Sequence, residues 1–503
     1  MSRRKAILKD AGIYTLGTYA SQLFDMVNGV LIRRYLGPAQ MGLWSFLQVI
    51  LSYLKHASLG VSAATSRDVP YYLGKGDLEK ARETQSLVFT FTLLNSVMTA
   101  LGLLAFVFLT RGRYPTLLFH GFLSLCVILV LQRVHNFLVT LLRAYKEFAL
   151  AAFLNVSLSA AALGLTVLLT RPWGLYGFFA ANILNYFFSI GLVFLTTRHP
   201  IRWLWDWVRI QPIMRFGFAM LAYDVLRSFL VSIDRLMITK FLGFEALGLY
   251  SVATMASTYA ASFPTMLAVI LFPHIQEAYG KRDQASDVGI FLLQPTLALS
   301  ALMPFLIGAI WIFSDAFVAH FLPRYEAGIP ALKFLILGVY FFAHTHNYTA
   351  SLIALRKHWT LIPLTIFSAG FVALLTWSFI RMGWGLEGVA LANLLLWVFN
   401  YAVLCAITFR SGFSLRRIVR MHAQLLGIFL YFTVLLLIYE RVVEVRNFTT
   451  SFLACACYFL TLSPLLYLFE KQSRGISLGF QWLGRKVKFN PLADKNLQID
   501  RKD

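Results

Sequence analysis

The side chains best suited to chemistry in this sequence are cations inside long apolar stretches. They are Lys55, Arg133, Arg227, Arg235 and Lys333. A charged side chain in hydrocarbon costs roughly 2.5–3.5 kcal/mol on insertion scales, so each needs a partner, a hydrated cavity or a ligand. Arginine suits a phosphate ligand because its planar guanidinium holds two phosphate oxygens at once. The sequence therefore predicts a buried site for an anionic group.

Arg133 and Arg227 are the strongest candidates for phosphate binding. Arg133 lies deep in its apolar stretch, and no acidic residue lies three or four positions from it. Asp224 precedes Arg227 by three residues, so a local ion pair is the alternative interpretation there. Lys55 and Lys333 lie nearer the ends of their stretches. Each either binds the ligand or extends its ammonium group to the membrane surface.

Acidic residues share the apolar stretches with these cations. Asp25 is a candidate to bind a coupling ion, with neutralisation of a cavity cation as the alternative, and Asp224 is a second candidate for coupling. Asp234 and Arg235 lie near the end of their stretch, where we expect a structural clamp with the following loop. The cations outnumber the acids, which favours an anionic ligand over a cationic one.

Uncharged polar residues follow these charges at helical spacing, so that each set falls on one helix face. Asn136 accompanies Arg133, while Tyr340, His344 and Asn347 follow Lys333. These faces together predict a central cavity. Asn136, Tyr340 and Asn347 are expected to donate hydrogen bonds to sugars there, and His344 is expected to line the cavity.

The apolar stretches predict about fourteen membrane-spanning helices, because a helix needs about 20 residues to cross the hydrocarbon core. The predicted spans are 12–32, 42–64, 84–109, 116–140, 149–170, 175–197, 213–239, 247–272, 288–313, 328–352, 360–380, 386–409, 421–440 and 448–470. Apolar residues make up 58% of the chain and charged residues 14%. Continuous apolar blocks favour helices over a β-barrel. The predicted fold class is an all-α polytopic membrane protein.

The net charge of +22 raises the question of a nucleic-acid ligand, and the placement of the charges answers it. Lys and Arg are about three times as frequent in the N-terminus, the even-numbered loops and the tail as in the odd-numbered loops. Such an excess marks the cytoplasmic side of a membrane protein. We therefore expect a multi-pass protein of the cytoplasmic (inner) cell membrane with both termini cytoplasmic, in contact with the lipid bilayer and with no nucleic acid.

Two repeated segments relate the halves of the chain. RYLGPAQMGLWS (34–45) aligns with KFLGFEALGLYS (240–251), and GLYGFFAANIL (174–184) aligns with GLEGVALANLL (385–395). A duplicated multi-helix unit with its ligand at the interface of the copies is typical of secondary transporters. Because each copy holds an even number of helices, we expect the copies to be related by an axis along the membrane normal.

The repeat predicts how the chain is divided. The parts are an N-lobe at 1–197, an interfacial linker at 198–212, a C-lobe at 213–410, two further helices at 411–470 and a basic cytoplasmic tail at 471–503. The linker, RHPIRWLWDWVRIQP, alternates Trp with charged residues and is expected to lie at the headgroup level. Gly37 and Gly243, identical in the two copies, are expected to be structural. No cofactor and no metal site is predicted.

The motifs together resemble a known family. RYLGPAQMGLWS, RDVPYYLGKGD (67–77) and SIDRLMITKFLGFEALGLYS (232–251) are similar to the polysaccharide transporter family, the Wzx-type oligosaccharide flippases. This family belongs to the multidrug/oligosaccharidyl-lipid/polysaccharide (MATE-like) superfamily. The resemblance implies two pseudo-symmetric six-helix lobes around a central cavity, plus two extra C-terminal helices. It also implies a protein that flips a lipid-linked oligosaccharide across the cytoplasmic membrane.

Three functions are weighed on these features. The first is a flippase or exporter of a polyprenyl-pyrophosphate-linked oligosaccharide for O-antigen or exopolysaccharide synthesis. It would work by alternating access, with H+ or Na+ as a coupling ion and polysaccharide polymerase or assembly proteins as further partners. The second is an ion-coupled drug/cation antiporter of the same superfamily, which would depend on Asp25 rather than Arg133. The third, a membrane-embedded glycosyltransferase or polymerase, is disfavoured because the outward loops are short and hold no paired carboxylates. We predict a transporter and not an enzyme.

Overall fold

The computed structural model describes residues 3–197, 199–282, 285–354, 358–409, 415–443 and 447–473. Across these ranges the chain forms fourteen α-helices and no β-strand. The predicted all-α class is therefore confirmed. The predicted basic tail lies outside the described residues from position 474 onward.

The helices follow one another through short connections. They are α1 (Arg3–His56), α2 (Ser62–Gly74), α3 (Leu78–Leu109), α4 (Thr116–Ala144), α5 (Phe148–Leu165), α6 (Arg171–Thr196), α7 (Trp207–Phe241), α8 (Gly243–Arg282), α9 (Ala285–Phe321), α10 (Ile329–Ala354), α11 (Leu361–Arg381), α12 (Gly385–Phe409), α13 (Leu415–Val442) and α14 (Phe448–Ser473). Within the described ranges, eight helical segments are long and apolar enough to cross a membrane, the longest being Phe148–Thr196. The chain is a multi-pass membrane protein.

Helix α1 contains the first two predicted spans, separated by a kink at Gly37. Gly37 has a φ of 69°, in the left-handed region that glycine adopts without a Cβ penalty, and Pro38 follows it. Gly243, the matching residue of the second copy, has a φ of 89° and begins α8, two residues after the end of α7. Both copies of the motif therefore use glycine to turn from one helix into the next. This geometry supports the structural role predicted for the two residues.

Helix α2 lies where the sequence pattern predicts a loop, at 65–83, and that prediction is wrong. Val69 of α2 is completely buried and packs with Ala81 of α3 and Ala144 of α4. The helix is too short to cross a membrane, so a search for long apolar stretches does not detect it.

Asp77 is the last residue of the sequence GKGD (74–77), which recurs in the second copy as GKRD (280–283). Asp77 also caps the N-terminus of α3. Its Oδ1 accepts a hydrogen bond from the Lys80 N–H at 3.0 Å, which satisfies one of the free donors of the first helical turn. This bond lowers the pKa of Asp77. The matching GKRD sequence (280–283) ends outside the described residues.

The predicted linker at 198–212 is partly helical, because α7 already begins at Trp207. The preceding segment, 199–206, runs without regular structure along α3. Three of its backbone groups bond to α3 side chains at 2.9–3.1 Å: Pro200 O with Gln85, Arg202 N–H with Ser86 and Leu204 N–H with Thr90. Side chains of α3 therefore fix the path of the linker. A second predicted link, at 273–287, is helical as far as Arg282.

The chain packs as two compact units. Unit 1 comprises Met1–Tyr259, Ser314–Ile336 and Trp359–Leu396, and unit 2 comprises Ala260–Phe313, Leu337–His358 and Trp397–Asp503. The interior of unit 1 includes a cluster of aliphatic and aromatic residues from α3, α4 and α5. The interior of unit 2 includes six fully buried rings: Tyr340, Phe341, Tyr348, Tyr401, Phe432 and Tyr458. The predicted boundaries of two six-helix lobes stay a prediction.

Candidate functional site

The two copies of the repeated motif pack directly against each other within unit 1. A Cβ atom added to Gly42 would overlap the carbonyl oxygen of Phe244, and one added to Gly248 would overlap the carbonyl oxygen of Pro38. Pro38 and Phe244 hold the same position in their copies, as do Gly42 and Gly248, so the contact is reciprocal, as it is across a twofold axis. We call these four residues the glycine seam. No side chain fits at either glycine without separating the two backbones.

Arg33 is a buried cation next to the glycine seam, at a position where the sequence pattern predicts a loop. Its Nε donates to the Ser251 hydroxyl and its Nη2 to the Ser251 carbonyl oxygen, both at 3.0 Å, while Nη1 donates to the Gly29 carbonyl oxygen at 2.8 Å. Tyr325 donates its hydroxyl to the Arg33 carbonyl oxygen at 3.1 Å. In the described part of the chain no acid pairs with Arg33, so neutral acceptors hold the charge. Arg33 thereby joins α1 of the first copy to α8 of the second.

The contact between the copies continues along α1 to its end. The hydroxyl of Tyr53 lies 2.6 Å from the Ser232 hydroxyl, and His56 Nε2 lies 2.6 Å from the Ser228 hydroxyl. His56 is about 20 Å from Gly42 along the helix, at 1.5 Å per residue. The second half of α1 therefore lies against α7 as well as α8.

Lys55 and Arg227 are exposed cations at this end of the contact. Lys55 precedes His56, and Arg227 precedes Ser228, so the hydrogen bond between His56 and Ser228 brings the two stretches of backbone that carry these cations close together. Asp224 is also exposed, and no ion pair joins it to Arg227 among the described residues. The local ion pair weighed for Arg227 is thus not formed, and its guanidinium is available to a ligand.

Arg133 of α4 is buried, with its guanidinium at the backbone carbonyls of Leu54 and Lys55. Its Nη1 donates to Asn95 Oδ1 at 2.6 Å, and its Nη2 donates to the carbonyl oxygens of Leu54 at 2.5 Å and Lys55 at 3.5 Å. These carbonyls belong to the last turn of α1, where a helix carries partial negative charge and unpaired acceptors. Arg133 is therefore placed to hold the end of α1. Both arms of its guanidinium are occupied, so direct phosphate contact would require their release.

Asn136 and Asp25 are exposed on unit 1. Asn136 lies one turn after Arg133 on α4, and Asp25 lies beside Ser159 of α5. Their predicted roles, in sugar binding and ion coupling, stay predictions.

Lys333 has an acidic partner. Its ammonium nitrogen lies 3.2 Å and 3.0 Å from the two carboxylate oxygens of Asp315, and the lysine is 8% exposed. Asp315 belongs to α9, beyond the end of the predicted span at 288–313, so the sequence pattern places it in a loop. The sequence predicts either ligand binding or extension to the membrane surface for Lys333. The structure shows a third arrangement, an ion pair with Asp315.

We expect Lys333→Met and Asp315→Asn each to lower the melting temperature, because each leaves the other partner uncompensated. The double variant Lys333→Met/Asp315→Leu should melt closer to the wild type, since it removes both charges. Thermal unfolding in detergent, followed by tryptophan fluorescence, measures both effects. Lost transport in Lys333→Met with normal transport in Asp315→Asn would assign Lys333 to the ligand instead.

Tyr340, His344 and Asn347 lie inside unit 2. The contact with sugar predicted for Tyr340 and Asn347, and the cavity-lining position predicted for His344, are therefore not available in this conformation. All three are at most 2% exposed. The Tyr340 hydroxyl already donates to the Leu425 carbonyl oxygen of α13 at 3.1 Å. Helical spacing predicts one shared face for these residues, but that face is buried, and Tyr340 packs against α13, which the repeat does not include.

Asp234 and Arg235 lie in unit 1, where Asp234 is buried. Its carboxylate accepts hydrogen bonds from the Arg235 N–H at 2.7 Å and from the Tyr250 hydroxyl at 3.0 Å. Asn393 donates to Tyr250 at 3.3 Å. These bonds connect α7, α8 and α12 and not α7 with the following loop, so the clamp predicted for Asp234 and Arg235 stays a prediction.

Several residues of the site have no distinct signal in the sequence. Arg33 looks like a loop cation, Asp315 lies just outside an apolar stretch, and Asn95 is one amide among many. Tyr53 and His56 are three residues apart, so they share a helix face, and Lys55 is close to them. This spacing is the one feature of the sequence that would have indicated them as site residues.

Solved structures of membrane transporters are similar to this chain. An inward-facing multidrug resistance MATE family transporter of the MOP superfamily has a TM-score of 0.65 at 16% identity, covering 77% of this chain and 94% of its own. The lipid II flippase MurJ, in an inward closed conformation, has a TM-score of 0.61 at 16% identity, covering 90% and 98%. The bent form of the Vibrio cholerae MATE transporter VcmN has a TM-score of 0.57 at 16% identity, covering 82% and 98%. At these identities the likeness establishes the fold.

The sequence family is established directly. Residues 31–322, more than half of the chain, match the family described as polysaccharide biosynthesis protein, and the chain belongs to that family. No curated protein matches the sequence. Membership of this family and the MATE- and MurJ-like fold confirm the resemblance noted in the sequence.

Proposed function

We propose that the chain is a flippase that moves a polyprenyl-pyrophosphate-linked oligosaccharide across the cytoplasmic membrane, as a step in cell-surface polysaccharide synthesis. Its role is transport and not catalysis, with both termini cytoplasmic and a proton or sodium ion driving the cycle. Membership of a polysaccharide biosynthesis family supports the glycan, and the similar fold of a protein named a lipid II flippase supports the lipid carrier.

The reciprocal contact at the glycine seam is the observation that carries the proposal. Alternating access needs two related halves that meet on one side of the membrane and part again during the cycle. Gly42 and Gly248 let equivalent helices of the two copies meet backbone to backbone, without interlocking side chains. Under the predicted topology the seam lies at the external side, where it closes the path.

Lys55 and Arg227 supply the contacts for the headgroup. Both are exposed. Lys55 lies about 20 Å along α1 from the seam, toward the side that the predicted topology makes cytoplasmic. Arg227 lies on α7 next to Ser228, which bonds to His56 of α1. A pyrophosphate there would receive charge-assisted hydrogen bonds from an ammonium and a guanidinium. Asn136 would bind a sugar hydroxyl, and Arg133 would position the end of α1 that carries Lys55.

A drug/cation antiporter is the second candidate, favoured by the exposed carboxylate of Asp25 and by the similar MATE structures. It would bind a cation through Asp25 and Asp224 and would not need Lys55 or Arg227. The two candidates therefore differ in the sign of the charge that binds the cargo.

Proteoliposomes that hold the purified protein test the proposal with two cargoes, a fluorescent polyprenyl-pyrophosphate oligosaccharide and a cationic dye. We expect the wild type to move the first cargo, and Lys55→Gln/Arg227→Gln to retain about a tenth of that rate or less, because charge-assisted hydrogen bonds are lost. The control Arg113→Gln removes an exposed loop cation and should behave as the wild type. Transport of the dye alone, abolished by Asp25→Asn, would establish the antiporter instead.

A further inference from the structure

Three helices of unit 2 enclose a group of aromatic and polar side chains that the proposed function does not use. The ring of Phe429 on α13 lies 5.6 Å from Tyr340 and 4.6 Å from Phe341, both on α10. The ring of Tyr401 on α12 lies 5.6 Å from Phe341 and 5.7 Å from His344. His344 is therefore surrounded by aromatic rings from its own helix and from α12.

Buried polar atoms in this group have no hydrogen-bond partner. Among the described residues they are both ring nitrogens of His344 and both amide atoms of Asn347, and the hydroxyl of Tyr401 has only the weakly bonding thiol of Cys405 beside it. The three side chains are 0%, 2% and 1% exposed. Asn347 follows His344 by three residues and so lies on the same side of α10. The unpartnered atoms are thus concentrated on one side of α10 and on Tyr401, which faces His344.

Buried polar groups in proteins are nearly always satisfied, by protein or by ordered water, because an unpartnered one destabilises the fold. Two buried tyrosine hydroxyls of unit 2 follow this rule: Tyr340 donates to the Leu425 carbonyl oxygen and Tyr458 donates to the Pro304 carbonyl oxygen, both at 3.1 Å. Among the described residues the hydroxyls of Thr408 and Thr433 are single exceptions. At His344, Asn347 and Tyr401 several exceptions lie together, which points to a bound ligand.

The mixture of donors and acceptors selects the kind of ligand. Asn347 offers two N–H donors and an oxygen acceptor, a neutral histidine offers one of each, and a tyrosine hydroxyl does both. A bare cation would satisfy only the acceptors, and an anion only the donors. Among the described residues no group of three His, Cys, Asp or Glu is arranged to hold a metal ion. Water both donates and accepts hydrogen bonds, so water molecules satisfy the whole set.

We propose that α10, α12 and α13 enclose a cluster of bound water held by His344, Asn347 and Tyr401. The site lies inside unit 2, and neither its residues nor its ligand depends on the proposed function.

The site also gives α13 a role, since that helix lies outside the repeated unit. The ring of His422 on α13 lies 5.2 Å from Tyr401, and Leu425 takes the hydrogen bond from Tyr340. These contacts close the polar group off from the surroundings of unit 2. Helix α13 thereby seals a hydrated pocket within the membrane-spanning part of the chain.

Radiolytic footprinting of the full-length protein in lipid nanodiscs tests the site, because hydroxyl radicals formed from bound water oxidise the side chains beside it. We expect Tyr401 and His344 to be oxidised several times faster than Tyr458, an equally buried residue whose hydroxyl is satisfied by protein. Oxidation no faster than that of Tyr458 would overturn the proposal. Slower oxidation in sodium than in choline buffer would also overturn it, by showing a cation in place of water.

The variant His344→Leu/Asn347→Leu provides the matched comparison. Replacing both polar side chains by apolar ones of similar size removes the need for water, so oxidation of Tyr401 should fall to the rate of Tyr458. Unchanged oxidation of Tyr401 in a folded variant would contradict the assignment. The wild-type comparison with Tyr458 decides the question even if the variant does not fold. None of these measurements uses transport, so they stand whether or not the flippase proposal fails.

Discussion

Replacing Gly248 by alanine should abolish transport while the protein remains in the membrane at its normal level. The added methyl would overlap the carbonyl oxygen of Pro38, and Gly42→Ala would produce the same overlap with Phe244. Backbone carbonyls at a helix contact cannot rotate away, so the copies would be held apart and the seam would not close. Inside a helix alanine is otherwise more stabilising than glycine by roughly 0.5–1 kcal/mol. A loss of transport in Gly248→Ala would therefore not come from weaker helix formation. We expect at least about a tenfold fall in rate, because a cycle needs both end states.

Glycines with open surroundings supply the controls for this prediction. Gly102 of α3 and Gly370 of α11 have no atom within 4 Å of an added Cβ, and alanine at either should leave transport unchanged. Closure can be measured separately with cysteines at Phe46 and Phe244, whose ring centroids lie 5.6 Å apart. In a background without native cysteines, a short cross-linker should join them, and Gly248→Ala should prevent it. Normal transport and cross-linking in Gly248→Ala would refute the proposed role of the seam.

Arg133→Ala should lower both transport and stability, because it removes the group that holds the end of α1. The substitution leaves Asn95 Oδ1 without its donor and leaves the Leu54 carbonyl oxygen with only the Ala57 N–H, at 3.2 Å. Two lost bonds to a buried charged group suggest a fall of roughly 2–4 kcal/mol in the free energy of unfolding. The end of α1 also carries Lys55, so its displacement should reduce the transport rate several-fold. Denaturant unfolding and the proteoliposome assay measure the two effects.

Asn95→Ala separates a positioning role of Arg133 from direct phosphate binding. If Arg133 acts by holding α1, removing its amide partner should reproduce part of both losses, and Arg133→Lys should restore little because lysine lacks the fork. If Arg133 instead binds phosphate, Asn95→Ala should transport normally and Arg133→Lys should retain substantial activity. Near-normal unfolding in Arg133→Ala, with transport lost, would favour the phosphate role.

The sequence was sufficient for the fold class and for the family. Continuous apolar blocks of about 20 residues indicate membrane-spanning helices wherever they occur, because the thickness of the bilayer sets the length. The short helix α2 was missed because its burial depends on contacts with α3 and α4, not on its own length. Conversely, the two predicted spans within α1 follow each other without a loop, since only the non-helical backbone of Gly37 divides them.

The sequence identified which side chains need an explanation, since every cation in an apolar stretch has to be accounted for. It did not identify their partners. Lys333 pairs with Asp315 and Arg133 with Asn95, and each partner lies on another helix. Helical spacing likewise placed Tyr340, His344 and Asn347 on one face without showing that the face is buried, with Tyr340 against α13.

The repeated motif shows most clearly which features the sequence determines and which depend on the tertiary structure. By itself the sequence determined that two equivalent glycine-containing turns exist, because identical residues recur at matching positions in both copies. Only the tertiary structure decided that Gly42 and Gly248 contact the opposite copy, and that Arg33 is buried against Ser251. The physical reason is that periodicity and composition report interactions along one helix, whereas the choice of neighbour depends on how separate helices pack.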